Sequence, residues 1–306
     1  MAGGRSGVLA RTSAVFAELA MIIIGGLKIG AIYSLAALGI VVIYKATRIV
    51  NFAHGAFVLA GAYATYGVVE ALGLGYWPAY VLVPIATGLL AAGVELIALR
   101  PIRRADIFAL ITSTIFIGIG LSEIYRLVQN TEMLGVRNPV SGRPIFVGDV
   151  IVTKEQIWVF GGAILCSLIG LAIFGYAPLG RGLRAIAANP RGAVLCGYSI
   201  DGMNAMAWFL GGALAGLAGV FAAPSQGVSP ELAISMITAA FVAAVIGGFD
   251  SLRGALFGGL ILGVAQTLAA AYISSATANA ASFLLLFVVL MWRPEGLFPE
   301  TKLRDV

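Results

Sequence analysis

The chain reads as an all-α, polytopic integral membrane helical bundle. Three observations carry that reading: 60% of its 306 residues are hydrophobic, only 11% are charged, and the mean hydropathy is +1.00. An ordinary soluble domain carries about 25% charged residues, so lipid solvates most of this chain. With spans of about 20 residues, the length holds eight or nine crossings and short loops. No water-soluble domain of normal size fits in what remains, so residues 1–306 read as a single transmembrane unit.

Apolar windows fall near 18–44, 55–72, 78–99, 107–127, 157–176, 204–223, 234–248, 254–273 and 281–292. The first is long and is expected to tilt or break near Gly25-Gly26. Arg5 and Arg11 precede it as in a signal peptide, but an apolar run reaching Tyr44 is too long for a cleaved segment. It reads as a retained first helix. The windows at 234–248 and 281–292 are short for a full span and leave room for half-helices or re-entrant pieces.

Between the first two windows lies Ile49–Gly61, IVNFAHGAFVLAG, which holds Asn51 and the only histidine, His54. A backbone that leaves helix at membrane depth must satisfy its amides within the protein or along a wet cavity. Discontinuous helices of that kind commonly supply transporter sites. Movement of a solute across a membrane is the implied task.

Basic residues orient the bundle. Loops 45–54, 100–106, 177–203 and 249–253 and the tail 293–306 hold 12 Lys/Arg, whereas residues 1–17 and the loops of the opposite set hold 5. The positive-inside rule puts the first set in the cytoplasm. Loop placement therefore explains a net charge of +5 and a pI near 9.4, without a nucleic-acid partner. Two cysteines, Cys166 in an apolar run and Cys196 in a polar loop, suggest neither a disulfide nor a metal site.

Gly26/Gly30, Gly212/Gly216, Gly254/Gly258 and Gly259/Gly263 are small-xxx-small pairs that suit close helix packing. A faint internal echo is visible as well, open to reading as a weak repeat or as chance similarity of two capped helix starts. Asn51-Phe-Ala-His-Gly-Ala56 echoes Asp250-Ser-Leu-Arg-Gly-Ala255, and Asn51 and Asp250 are both candidate helix caps.

Residues 177–203 carry Leu183, Ile186 and Ala187 on one face, then Asn189-Pro190, then Val194, Leu195 and Tyr198. Asn as cap with Pro at the first helical position predicts a new helix there. A pair of short amphipathic helices suits docking into a groove of a partner protein or lying on lipid.

The stretches GLKIGAIYSLAALGIVVIY (26–44), RIVNFAHGAFVLAGAY (48–63) and RPIRRADIFALITSTIFIGIGL (100–121) resemble a known family, as do 180–220, 240–275 and RPEGLF (293–298). It is the family of permease subunits of branched-chain amino acid type ABC importers. The resemblance implies a single permease domain with a cytoplasmic coupling loop at 177–203. It further implies a bacterial inner-membrane complex of two permease chains, often different, two ATPases and an extracytoplasmic solute-binding protein. Arg181, Arg184, Pro190, Gly197 and Tyr198 fall in the coupling loop. No Gly-x-x-x-x-Gly-Lys-Ser/Thr phosphate loop exists here, so ATP and Mg belong to the partner ATPases and this chain needs no cofactor.

Four residues are candidates for the substrate pathway: Lys28, Asn51, His54 and Gln266. Relatives tend to carry a small or hydroxylated residue at Lys28 and often an acid at Gln266. Counted from Glu18, Lys28 lies about 15 Å deep, where a charge costs about 3 kcal/mol. It either offers a cation to an anionic solute group or is a snorkelling or paired structural lysine. His54 can gate, pack or hydrogen-bond solute. Glu95 is expected to pair with the Arg100–Arg104 cluster, and Glu123 with Arg126.

A non-catalytic permease for an amino acid or other small carboxylate fits best. Urea, short amides and aromatic acids stay open as cargo. An autonomous channel or secondary transporter would want a run of intramembrane acids, and an enzyme a His/Asp/Glu cluster; neither is visible.

Overall fold

The computed structural model describes residues 3–129, 133–274 and 277–299, with backbone only for 3–13 and 129. Among them the helices are α1 (Gly3–Thr47), α2 (His54–Tyr66), α3 (Tyr76–Val94), α4 (Ile107–Gln129) and α5 (Lys154–Tyr176). The short α6 (Pro178–Ala188) and α7 (Pro190–Leu195) follow, then α8 (Ile200–Gln226), α9 (Glu231–Gly247), α10 (Leu252–Tyr272) and α11 (Thr277–Trp292). Both α2 and α3 run on through one π-helical turn, Gly67–Ala71 and Glu95–Leu99. A small antiparallel hairpin, β1 (Ile145–Val147) and β2 (Val150–Val152), precedes α5.

Six segments are long and apolar enough to cross a bilayer: Ala14–Thr47, Tyr76–Leu99, Ile107–Val128, Lys154–Tyr176, Ile200–Gln226 and Leu252–Tyr272. Length and composition establish those six, while α9 and α11, with 17 and 16 residues, are apolar but shorter.

The expected break at Gly25-Gly26 does not occur, because α1 is continuous from Gly3 to Thr47. The glycines serve packing instead. A Cβ on Gly26 would sit 2.7 Å from the Val264 Cα, and one on Gly30 2.8 Å from the Leu260 Cα. Backbones of α1 and α10 therefore touch directly. Ser34 Oγ, 2.6 Å from the Leu256 carbonyl and 2.8 Å from that of Gly30, ties the two together.

The other small pairs do the same work. Gly212 and Gly216 let α8 meet α3, where their Cβ atoms would strike the Thr87 carbonyl and hydroxyl. Gly254 and Gly258 bring α10 onto α9 at the carbonyls of Gly247 and Ala243. Such approach matters in lipid, where no hydrophobic drive holds helices together and close dispersion contacts must. The apolar windows of α1 and α8 are 83% and 67% buried, so these two helices form the centre of the bundle.

The loops sort to two ends. At one end Arg48 pairs with Asp250 at 2.8 Å, Arg103 pairs with Asp201, and Arg100 reaches Glu95 at 2.8 Å. The segment after α11 joins them, as the Leu297 and Phe298 N–H groups donate to the carbonyls of Ile246 and Gly247. These are the loops that hold most of the lysines and arginines, so this is the basic end. Tail residues Lys302 and Arg304 lie outside the described residues, as do the side chains of Arg5 and Arg11. At the far end Leu134 bridges Val228, and Tyr76 Oη donates to the Arg137 carbonyl at 2.7 Å.

Gly30→Leu should lower the unfolding midpoint in detergent, with a loss of about 1–3 kcal/mol from overpacking. Gly67→Ala, where a Cβ would meet nothing within 4 Å, should leave it unchanged. Equal effects from the two would contradict backbone contact as the basis of the bundle.

Candidate functional site

The chain leaves helix at Thr47 and resumes it at His54; of the six residues between, Arg48 is exposed, whereas Asn51 and Ala53 are fully buried. Arg48 opens the turn with φ +58°, rare for a side-chain-bearing residue, and its Nη1 donates to Asp250 Oδ1. Asn51 is 1% exposed and His54 0%. The His54 ring seats on Gly39 of α1, where a Cβ would stand 2.5 Å from the ring Cε1. Gly39 lies eight residues before Thr47, about 12 Å back along the helix. The next helix therefore begins inside the bundle and not at its rim.

Four elements grip this break. Gly55 abuts the Ala233 carbonyl of α9, and Gly118 of α4 lies on the Ala53 Cα. The Phe52 and Phe241 rings are 5.7 Å apart. His54, Phe57 and Trp208 of α8 form an edge-to-face series at 6.5 and 6.3 Å.

The Phe52 and Ala53 amides in the break find side-chain acceptors, as burial requires. Phe52 N–H donates to Thr114 Oγ1 at 3.1 Å, and Ala53 N–H to Asn51 Oδ1 at 2.9 Å. Asn51 thus makes a turn two residues long and does not cap α2, whose N-cap is Ala53 with no side-chain bond. Its echo also differs from expectation: Ser251 caps α10 by accepting from Gly254 N–H, because Asp250 is taken by Arg48. Three side-chain atoms are left over. Asn51 Nδ2 and both His54 ring nitrogens are buried and make no hydrogen bond of good geometry, although the His54 ring faces the Ala36 carbonyl of α1. Native proteins rarely leave such groups unpaired, and each one calls for an explanation.

Lys28 lies elsewhere. Its Nζ is 3.1 Å from Glu155 Oε1, to which Ser225 Oγ also donates at 2.9 Å. The ion pair is largely buried, with side chains 17% and 20% exposed. Glu155 opens α5 and Ser225 closes α8, so Lys28 stands near the end opposite the basic one. Counted back from Thr47, Lys28 lies 19 residues, about 28 Å, along α1. Gln266 Nε2 donates to Ser282 Oγ at 2.5 Å and joins α10 to α11. Lys28 and Gln266 are not gathered with Asn51 and His54.

At the basic end α6 and α7 are the two short helices that Asn189-Pro190 foretold. Leu183 and Ile186 of α6 are buried, and Arg184 Nη1 donates to the Phe174 carbonyl, locking α6 to α5. Arg181 is exposed. Asn189 Oδ1 caps α7 by accepting from Gly192 N–H at 3.0 Å, with Pro190 at the first helical position. In contrast to α6, α7 presents its apolar side outward: Val194 is exposed and Leu195 is 90% exposed. Gly197 turns the chain at φ +86°, and the Tyr198 ring packs on Gly182.

Glu95 pairs with Arg100, as the spacing suggested, whereas Arg103 goes to Asp201. Glu123 and Arg126 are 3.5 Å apart on α4. Cys166 and Cys196 are both free thiols. Among the described residues no three His, Cys, Asp or Glu side chains gather as a metal site would need.

Known proteins place this arrangement. The family described as the permease component of the branched-chain amino acid transport system matches residues 22–292. The chain belongs to it. The high-affinity branched-chain amino acid permease protein LivH of Salmonella typhimurium is 30% identical over 299 residues, covering 92% of this chain and 96% of LivH. BraD of Pseudomonas aeruginosa is 29% identical over 298 residues, 93% of this chain and 97% of BraD. LivM of Salmonella typhimurium, another permease of that system, is 28% identical and covers 89% of this chain and 68% of LivM. The permease is accordingly a multi-pass membrane protein and a non-catalytic transport component.

Breaking one side of a buried ion pair strands the other charge at a cost of about 3–5 kcal/mol. Lys28→Met in this permease should lower the detergent-unfolding midpoint by that order, and adding Glu155→Gln should restore most of it. Additive losses in the double variant would show that Lys28 and Glu155 do not depend on one another.

Proposed function

We propose that this permease forms half of the translocation path of an ATP-driven importer of the bacterial inner membrane. The second permease is a different chain, two cytoplasmic ATPases supply ATP and Mg chemistry, and an extracytoplasmic binding protein delivers the solute. The cargo is an amino acid or another small carboxylate, in keeping with relatives named for branched-chain amino acid transport. With α2, α9 and α11 crossing beside the six long spans, the count is nine, the upper value the apolar windows allowed.

The observation that carries this reading is the contrast between α6 and α7. One is fixed to the bundle by Leu183, Ile186 and Arg184, and the other offers Val194 and Leu195 to whatever covers it. An exposed apolar pair on a short helix at the basic end suits a groove in a soluble partner. Motion imposed there passes directly into α8, whose first turn follows Gly197 and Tyr198. Alternating access is then a shift between two packings of the bundle.

Within the path, Asn51 and His54 are the residues assigned to solute or its hydration, since Asn51 Nδ2 and the His54 ring nitrogens are buried and make no hydrogen bond of good geometry. Lys28 and Gln266 line the path only in a conformation that frees them from Glu155 and Ser282. Gly197, Tyr198, Pro190, Arg181 and Arg184 set the shape of the coupling loop. A self-contained channel or secondary transporter would instead move cargo without companions.

Leu195→Asp should lower ATP-driven uptake by the assembled importer about tenfold, the effect of losing roughly 1.4 kcal/mol of interface energy. The amount of permease in the membrane should stay constant. Unaltered uptake would remove α7 from the coupling contact.

A further inference from the structure

A cavity lies at the basic end, beside Arg48 and Ile49, where the break begins. It encloses about 330 Å³ between the end of α1, the turn that follows α3, the start of α4 and the first turns of α8. That volume is at the lower end of the range for small-molecule pockets, about 300–1,000 Å³.

Its lining has three chemical parts. Arg48, Arg100 and Arg103 line it, each already facing one carboxylate: Asp250, Glu95 and Asp201. Arg48 and Arg103 each hold an aspartate through Nη1 alone. A guanidinium has five N–H donors in a planar fork, so both keep donors for another carboxylate. Asn204 Oδ1 is buried without any donor, and a buried unsatisfied acceptor costs about 1–3 kcal/mol. Beside these polar groups stand Leu99, Leu110 and Trp208, the last 1% exposed.

We infer that this cavity is a release-side binding site for a small α-amino acid with an apolar side chain. Arg103 and Arg48 take the carboxylate, Asn204 Oδ1 with Glu95 takes the ammonium, and the side chain lies against Trp208 and Leu110. No simpler ligand uses all three parts: an inorganic anion leaves Asn204 unpaired, and a lipid tail leaves the arginines idle. The inference rests on the proposed transport reading and adds to it a site and its specificity. It also ties cargo to the coupling loop, because Arg103 and Arg100 already bond the side chain and carbonyl of Asp201 at the start of α8.

Trp208 gives the site its own reporter. The permease carrying Trp77→Phe, Trp158→Phe and Trp292→Phe is placed in inside-out vesicles with its companions, and L-leucine is added outside. Leucine should shift Trp208 emission saturably, while N-acetyl-leucine and leucinamide, each lacking one charge, should need about tenfold more. Arg103→Gln should weaken leucine about tenfold and leave leucinamide unchanged, and Asn204→Leu should erase the advantage of leucine over N-acetyl-leucine. A silent Trp208 alongside ATP-driven leucine uptake would overturn the site and leave the permease reading standing. Equal responses to all three compounds would overturn it as well. A leucine response with no uptake of any amino acid would support the site and sink the cargo assignment.

Discussion

Backbone contact along α1 is the constraint from which the remaining structure follows. In lipid, apolar side chains gain nothing by meeting each other, so association depends on dispersion at short range and on polar contacts. Glycines at 26 and 30 let α1 touch α10, and Gly39 lets it touch both α8, at Gly211, and the His54 ring. A methyl group at any of these points would meet backbone or ring atoms at under 3 Å. The central helix is thus flat where its neighbours need it flat.

The break at 48–53 is a consequence of that flatness. His54 starts a helix 12 Å inside the bundle only because Gly39 leaves room for an imidazole, and Gly55 leaves room for the α9 backbone. The Ala53 and Phe52 amides in the break are satisfied by Asn51 and Thr114, while Asn51 Nδ2 is left without a bond. Through Gly211, α8 connects this point to the basic end, where the same helix begins beside α7. A single helix therefore touches both the break and the segment that carries the exposed α7.

Much of this was legible from hydropathy, because each apolar window is a local property of the chain. The window 78–99 became Tyr76–Leu99, and 254–273 became Leu252–Tyr272. Ends were displaced where capping chemistry decides them. Thr153 and Gln156 form a reciprocal capping box that starts α5 at Lys154, three residues before its window, and that signal was present in the sequence. The partners of Lys28 were not legible, since Glu155 and Ser225 lie 127 and 197 positions away and only tertiary packing brings them near. The same holds for the terminal cavity, whose residues come from four separated segments. Asp250 was misassigned as a cap because propensity cannot say which of two adjacent polar residues, Asp250 or Ser251, the fold will spend on another loop, and Asn51 because its Oδ1 closes a turn on the Ala53 N–H instead.

Cysteine accessibility across the break tests the account most directly. In the assembled importer, with Cys166 and Cys196 replaced by serine, single cysteines at Asn51 and His54 should react with a membrane-impermeant thiol reagent. Their rates should change when the ATPases are trapped with nucleotide, while a cysteine at Val58, one turn further into α2, stays unreactive throughout. If positions 51 and 54 remain as inert as 58 in every nucleotide state, the break is a packing feature and the solute travels elsewhere.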